Sequence, residues 1–583
     1  MDFLRSGKAL ECRILPDVAL LLKRPTCLLA VAAILLAAPL SVLAQSFAAQ
    51  PPVSAGRPVA ARVATALPLR IEQALHAQDG EGEGAASPLS DVVRLFYYDR
   101  GYRPVWTSAA RTGELIAAIE ASREHGLTPA DFAIDSLREA AARGGDDAQE
   151  VVRRDLLFTD AAARLARQLR YGKVDPSRLH STWNFSPLPG VRERAQMLAA
   201  LLEADSLSVA LAALAPQDEA YLGLQKALSR YTVLAAEGGW PSVPAGPTLR
   251  PGERDARVRA LRARLQAEGW SDADGQRAAR SDPARYDQML AAAVKRFQHA
   301  QGLSADAAVG VGTLTALNVS AAERLAQIRV NLERQRWVAR DMTVDRLLVD
   351  IAGFNAELVV GGELLWSSNV VVGRPERETP VLLDEVRHLV LNPKWVVPPT
   401  ILREDVIPKV MVNAAYLDQQ RMRVVDNRGQ AVAVAQVDWK GASRTGFPYQ
   451  IVQQSGGDGA LGRIKFSLSN GYSIYLHDTP SRAQFRKPVR ALSSGCVRLE
   501  KPRDLALLLL DDPQRWSEQT LAAEIDKRRT QTLAVGLYVP VMLLYRTAVA
   551  DSDATGAVSF RKDIYGHDQP VLALLDATGS SRP

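Results

Sequence analysis

At about residue 342 the spacing of apolar residues changes, and the change splits the chain into two architectures. Before it, apolar side chains recur every three or four positions, as in Leu115-Ile116-Ala117-Ala118-Ile119 and along 156–169, which is the period of an amphipathic helix. After it, Leu347, Val349 and Ile351 alternate, and Gly361-Gly362 separates 358–360 from 364–366 as a two-residue hairpin turn does. Further strand-like stretches lie at 386–391, 464–468, 473–476 and 539–546, with 502–510 as the one long helix expected in this half.

A chain of 583 residues, 47% of them hydrophobic, is too long for one core. The pattern predicts a multidomain α+β protein. A helical domain spans 65–238, and a proline-rich linker joins it to a small, compact helical block at 248–320. A β-rich, sandwich-like domain at 342–566 follows, with a polar, glycine-bearing segment at 404–455 that is either an inserted lid or an ordinary surface insertion. Residues 567–583 are expected to be a disordered tail. The helical half contains the stop signal His125-Gly126-Leu127-Thr128-Pro129; His125, His180 and His388 lack partner motifs and are assigned no chemistry.

Arg5, Lys8, Arg13, Lys23 and Arg24 precede an apolar stretch at 27–44, and Val42-Leu43-Ala44 before Gln45 fits signal cleavage. Residues 1–44 therefore read as a secretory signal, with a single membrane anchor as the alternative, and 45–64 as a flexible tether. The body is expected outside the cytoplasm. A net charge of +6 does not single out nucleic acid as a partner. The arginines at 250, 254, 257, 259, 262 and 264 are interrupted by Glu253, Asp255 and Glu268, so they read as a solvated helix face.

With Cys12 and Cys27 in the exported-signal region, Cys496 is the one cysteine of the body and has no internal disulfide partner. It is a nucleophile, a buried small hydrophobe or an intermolecular bridge. Its surroundings favour the first. Asn470-Gly471 is a turn signal, and alternation after it places Tyr475 and His477 on one face of a strand, opposite Tyr472, Ile474 and Leu476. A cysteine of ordinary pKa is protonated at neutral pH, so it needs an imidazole to take its proton and return it to a leaving amine. The imidazole needs a third group to fix its tautomer, which Asp478 offers through its carboxylate or, better placed along the chain, its backbone carbonyl. Gly495 allows a sharp turn that points nearby amides at an oxyanion. Arg498 is either a carboxylate- or phosphate-binding group or a structural ion pair, and Trp395 either lines the cleft or fills the core.

His477-Asp478-Thr479-Pro480 followed by Ser493-Ser494-Gly495-Cys496-Val497-Arg498-Leu499 resembles the signature of the L,D-transpeptidases, with their YkuD-type catalytic domain. Asp478 and Ser494 stand at variable places of that signature. Trp183-Asn184-Phe185, Gly373-Arg374-Pro375 with Thr379-Pro380, Asn392-Pro393-Lys394-Trp395 and Asp563-Ile564-Tyr565 resemble the large periplasmic subgroup with a helical domain, a peptidoglycan-binding module and a cap. The block at 248–320 resembles that module, in its three-helix form, through Val258, Leu261, Ala293-Val294-Lys295-Arg296-Phe297-Gln298, Gly302-Leu303, Asp306 and Leu317-Asn318. It departs from it at Ala307, where the family has glycine, and in a polar insertion at 271–285.

The resemblance implies an enzyme of the Gram-negative periplasm that needs no metal or organic cofactor; a monomer is the expectation, although the sequence does not speak to oligomeric state. Cys496 would attack a tetrapeptide stem of peptidoglycan, expel the terminal D-alanine and pass the acyl group to an amine of an acceptor stem, giving a 3-3 cross-link. His477 would be base and acid, oriented by Asp478; Tyr475, Ser494 and Gly495 would serve the oxyanion and positioning, and Arg498 and Trp395 substrate binding. Carbapenems would acylate the same thiol. An L,D-carboxypeptidase, an enzyme attaching or releasing wall protein, and a non-catalytic wall-binding scaffold are the alternatives.

Overall fold

The computed structural model describes residues 59–77, 90–143, 147–270, 282–445, 447–550 and 557–577. The expected signal, most of the tether and most of the polar insertion at 271–285 lie outside these residues. Among the described residues no helix is long and apolar enough to cross a membrane.

Residues 59–64, read above as the end of the tether, are instead the first turns of the helix Val59–Ala77. Its Ile71 and Leu75 are buried in the core of the helical domain. The long helix Ala148–Tyr171 starts where the Asp147 carboxylate accepts hydrogen bonds from the amides of Gln149 and Glu150, and ends at Gly172. Gly126, at φ 73°, terminates the short helix before it as the sequence pattern requires. In the small middle domain, Val258, Leu261, Leu265, Val294 and Phe297 form a separate core. Ala307 sits there at φ 63°, in the left-handed region that costs a side chain with a Cβ, which is the physical meaning of the usual glycine.

The β-rich domain closes on itself. Arg346–Asp350 pairs with Asn355–Val360 and, in parallel, with Pro540–Leu544. The order continues through Leu382–Leu391, Ile464–Leu468, Leu476–His477 and Val497–Leu499 to Glu363–Gly373. This last strand also pairs with Asn355–Val360 across Gly361 and Gly362, both at positive φ, and so completes a ring. Alternate side chains of these strands, with the helices Pro502–Leu510 and Glu518–Asp526, fill one continuous core.

Three further features differ from the sequence reading. The strand expected at 473–476 is reduced to Leu476–His477, because Asn470 Oδ1 accepts from the amides of Tyr472 (3.0 Å) and Ile474 (3.2 Å) and Ser473 turns to φ 59°. Alternation therefore does not hold across it, and Tyr472 is exposed rather than packed on the core. The tail is not disordered over 567–577: Asp568–Asp576 is a helix whose Val571 and Leu575, one turn apart, are buried, and Lys173 Nζ donates to the carbonyls of Leu575 (2.8 Å) and Ala577 (3.0 Å) at its end. Finally, Ala321–Val338 is an 18-residue helix opened by a Ser320–Glu323 capping box and buried along most of its length between the helical and β-rich domains.

The segment at 404–455 belongs to a larger cap. Trp395–Val396, Met422–Val425, Ala431–Val432 and Gln450–Gln453 form a small sheet of their own. Leu402, Val406, Ile407, Val410, Leu417, Val424 and Ile451 give it a core separate from that of the β-rich domain.

Candidate active site

The local fold around Cys496 is set by a pairing that crosses between segments. Leu476–His477 runs parallel to Val497–Leu499, with Leu476 opposite Val497 and His477 opposite Arg498, and the Val497 amide donates to the Tyr475 carbonyl at 3.1 Å. On the other side, His477 lies opposite Lys465 of the neighbouring antiparallel strand. Tyr475, His477, Cys496, Arg498 and Lys465 therefore converge. Lys465 was not singled out in the sequence; its one trace there is a cation in the apolar strand Ile464–Leu468.

The loop that carries Cys496 is held from beneath. Gly495 takes φ 109°, which favours glycine, and a Cβ there would meet the Glu378 carbonyl at 3.3 Å. Thr379 Oγ1 donates to Gly495 O (2.7 Å) and accepts from the Gly373 amide (2.8 Å). Tyr565 Oη donates to Gly373 O (2.7 Å) and accepts from the Thr379 amide (3.1 Å). Ser493 Oγ donates to Cys496 O (2.6 Å) and accepts from the Gly495 amide (3.2 Å). Because the Gly495 amide is already committed, the Cys496 amide is the better placed of the two for an oxyanion. The Ser494 hydroxyl accepts from Arg377 Nη1 at 3.1 Å.

His477 is buried, and its Nδ1 lies 2.5 Å from the backbone carbonyl of Asp478. A carbonyl can only accept, so Nδ1 carries the proton of the neutral ring and Nε2 is left basic. The Asp478 carboxylate points elsewhere, accepting from the Arg463 amide at 2.8 Å and facing Arg482 at 3.5 Å. Of the two Asp478 groups considered above, only the carbonyl touches the imidazole. Burial pulls the His477 pKa down to about 3, with Arg498 and Lys465 adding to it and the Asp478 carbonyl opposing.

Cys496 is partly exposed, and its Sγ lies 3.5 Å from the Ser473 carbonyl. Burial pushes its pKa up against the opposing pull of Tyr475, Lys465 and Arg498. Tyr475 is raised well above its ordinary value by burial and by the Cys496 sulfur, so its hydroxyl stays a donor; the Trp395 side chain faces it. Trp395 also packs against the core of the cap, which places it at the junction of cap and site. Arg498 Nη1 donates to Gln484 Oε1 at 2.8 Å, while its buried Nε has no partner and no carboxylate pairs with it among the described residues. No three His, Cys, Asp or Glu side chains cluster as metal ligands among the described residues.

Both directions favour a resting state of neutral thiol and neutral imidazole over a thiolate–imidazolium pair. The rate of Cys496 alkylation by iodoacetamide is accordingly expected to climb about tenfold per pH unit through pH 7 to 9, following the raised thiol. A plateau between pH 4 and 7 would instead report a stable ion pair.

Comparison with known proteins gives the chain's domain composition. The family model for the L,D-transpeptidase catalytic domain (YkuD) matches residues 344–514, that for a putative peptidoglycan binding domain matches 254–317, and that for a scaffold domain matches 91–228. A putative L,D-transpeptidase of Haemophilus influenzae is 35% identical over 225 residues, 39% of this chain and 45% of that protein. The matched region thus spans less than half the length of that relative. Among solved structures, an L,D-transpeptidase of Xylanimonas cellulosilytica shares 15% identity over 52% of this chain and 99% of its own, with a TM-score of 0.17. L,D-transpeptidase 1 of Mycobacterium tuberculosis shares 13% over 34% of this chain and 61% of its own, with a TM-score of 0.14. Both overlaps are too slight to bear on the fold. Residues 344–514, which carry His477 and Cys496, are a YkuD-type L,D-transpeptidase catalytic domain, joined in this chain to a scaffold domain and a putative peptidoglycan-binding domain.

Proposed function

We propose that the chain makes 3-3 cross-links between peptidoglycan stem peptides through a thioester on Cys496. The observation that carries this reading is the pairing of Leu476–His477 with Val497–Leu499, which sets the one cysteine of the described residues beside a histidine fixed as a base. In the first half-reaction Sγ attacks the carbonyl carbon of the third residue of a tetrapeptide stem as the thiol proton passes to His477 Nε2. The developing oxyanion is met by the Cys496 amide and the Tyr475 hydroxyl. The bond to the terminal D-alanine breaks and its nitrogen takes the proton from Nε2. In the second, the side-chain amine of diaminopimelate on an acceptor stem attacks the thioester and gives its proton to His477. The C–S bond breaks and the thiol re-forms with that proton. Arg498, with its unpartnered Nε, would hold a substrate carboxylate.

This reading places the enzyme in the periplasm, after export directed by the N-terminal segment, with the middle domain on the glycan and carbapenems as covalent inhibitors of the same thiol. Purified chain incubated with disaccharide-tetrapeptides is expected to yield dimers and free D-alanine, identified by mass. Tripeptide as the sole product would make it an L,D-carboxypeptidase. No product and no carbapenem adduct would make it a non-catalytic wall-binding scaffold.

A further inference from the structure

One guanidinium beside the nucleophile loop has four of its five donors taken by the cap. Arg377 ends the short turn Pro375–Arg377 and is only 9% exposed. Its Nε (3.2 Å) and Nη2 (2.7 Å) donate to Glu404 Oε2. Its Nη1 donates to Asp405 Oδ2 (2.5 Å) and Nη2 to Asp405 Oδ1 (3.1 Å), and the fifth contact is Nη1 to Ser494 Oγ. A guanidinium has five N–H donors, and all five are used here. Arg374 Nη2 adds a longer contact to Asp405 at 3.9 Å.

The two sides of this contact differ in rigidity. On the arginine side, the Arg374 amide donates to Ser493 O at 3.0 Å, and Gly373 is so tightly enclosed that a Cβ would meet the Arg377 carbonyl at 2.2 Å. That turn is built into the support of the nucleophile. On the carboxylate side, Glu404 and Asp405 are consecutive residues of the π-helical turn Leu402–Val406, which packs into the cap's own core. Single π turns recur at functional sites. Two neighbouring carboxylates brought together on one buried guanidinium repel each other, so the arrangement is held by the arginine and not by the cap alone.

We propose that Arg377, with Arg374, is a receptor for a free carboxylate of the stem peptide, and that Glu404 and Asp405 are an internal competitor occupying it. The inference rests on the stem-peptide reading above. Stems carry free carboxylates, and bidentate pairing with arginine is the chemistry that reads them. A stem carboxylate reaches Arg377 only by displacing Glu404 or Asp405, so entry of the correct ligand and release of this edge of the cap become one event. An anion-free ligand of the same shape has nothing to exchange. The cap then selects for charge as well as for shape, and the selecting group touches Ser494, two residues from Cys496.

Direct binding tests this without turnover. In the Cys496→Ala background, calorimetry measures the affinity for a disaccharide-tetrapeptide and for the same molecule with its carboxylates converted to carboxamides. The Glu404→Gln/Asp405→Asn double variant is expected to bind the carboxylate form about tenfold more tightly, because the fraction of receptor that is free rises, with the carboxamide form unchanged. Adding Arg377→Gln is expected to erase that gain, and circular dichroism verifies that each variant is folded. Unchanged or weakened binding of the carboxylate form by the double variant, or an equal gain for both ligands, overturns the proposal. A wild-type chain that binds stems with this charge preference but forms no acyl adduct would refute the transpeptidase reading and leave the receptor standing.

Discussion

Replacement of Cys496 by alanine is expected to remove acyl transfer altogether, a loss of about 10⁴-fold or more, since covalent catalysis has no substitute nucleophile here. Among the described residues it is the one cysteine. Tyr475 cannot replace it, because burial and the adjacent sulfur raise its pKa well above the ordinary value. The fold should hardly register the change. The Cys496 side chain touches only Ser473 O, at 3.5 Å, and Tyr475, while the loop is kept in place by Ser493, Thr379 and Tyr565 through backbone atoms that alanine retains. Intact mass after incubation with a carbapenem is the measurement. Wild type should gain the adduct and the variant none, with equal urea midpoints. An adduct on the variant would move the nucleophile to another residue.

The second large effect is structural. Glu333 and Arg336, both fully buried, pair within the helix Ala321–Val338, with Arg336 Nη2 2.6 Å from Glu333 Oε2. Glu333 Oε1 also accepts from the Val174 amide (2.7 Å) and Trp337 Nε1 (3.0 Å), so one carboxylate joins the helical domain to this helix. Arg336 in turn donates to His125 O and Tyr221 Oη, both at 2.8 Å. Glu333→Ala leaves a guanidinium with no counter-charge and two donors without acceptors, at a cost of about 3–5 kcal/mol. Urea denaturation followed by tryptophan fluorescence should show it, since Trp337 lies against the lesion. Glu333→Gln keeps acceptors for Val174 and Trp337 and should lose less; equal losses would mean that shape, not charge, is at stake.

How much of this was legible in sequence depends on distance along the chain. The hairpin at Gly361-Gly362, the stop at Gly126 and the helix Pro502–Leu510 are local, because turn geometry and helix ends are decided within a few residues. The His477 and Cys496 motifs were equally visible, each being a short run. Lys465, Arg377, Glu404 and Asp405 were not, because they meet the site through strand pairing and cap packing that no periodicity encodes. The helix Ala321–Val338 escaped notice for another reason. Arg324, Asn331, Glu333, Arg334 and Arg336 are buried in partnered contacts, and so the apolar stripe that marks a helix is broken by the groups that anchor it. At 473–475 the alternation was real in sequence but was overridden by the Asn470 side chain.

The strands Ala548–Ala550 and Val558–Phe560 pair with each other and bury Ala548, Ala550, Val558 and Phe560 in the core of the N-terminal domain, where the Phe560 ring lies 5.6 Å from that of Tyr231 and Ala550 fills the space beside Gly223. The helical domain is therefore completed by residues that lie far beyond it in the sequence, past the strands of the β-rich domain. The core of that domain thus depends on contacts of high sequence separation, which form late in folding because the loop they close is long. A cut between the helical and β-rich domains would therefore not yield two independent halves, because each half keeps part of the other's interior.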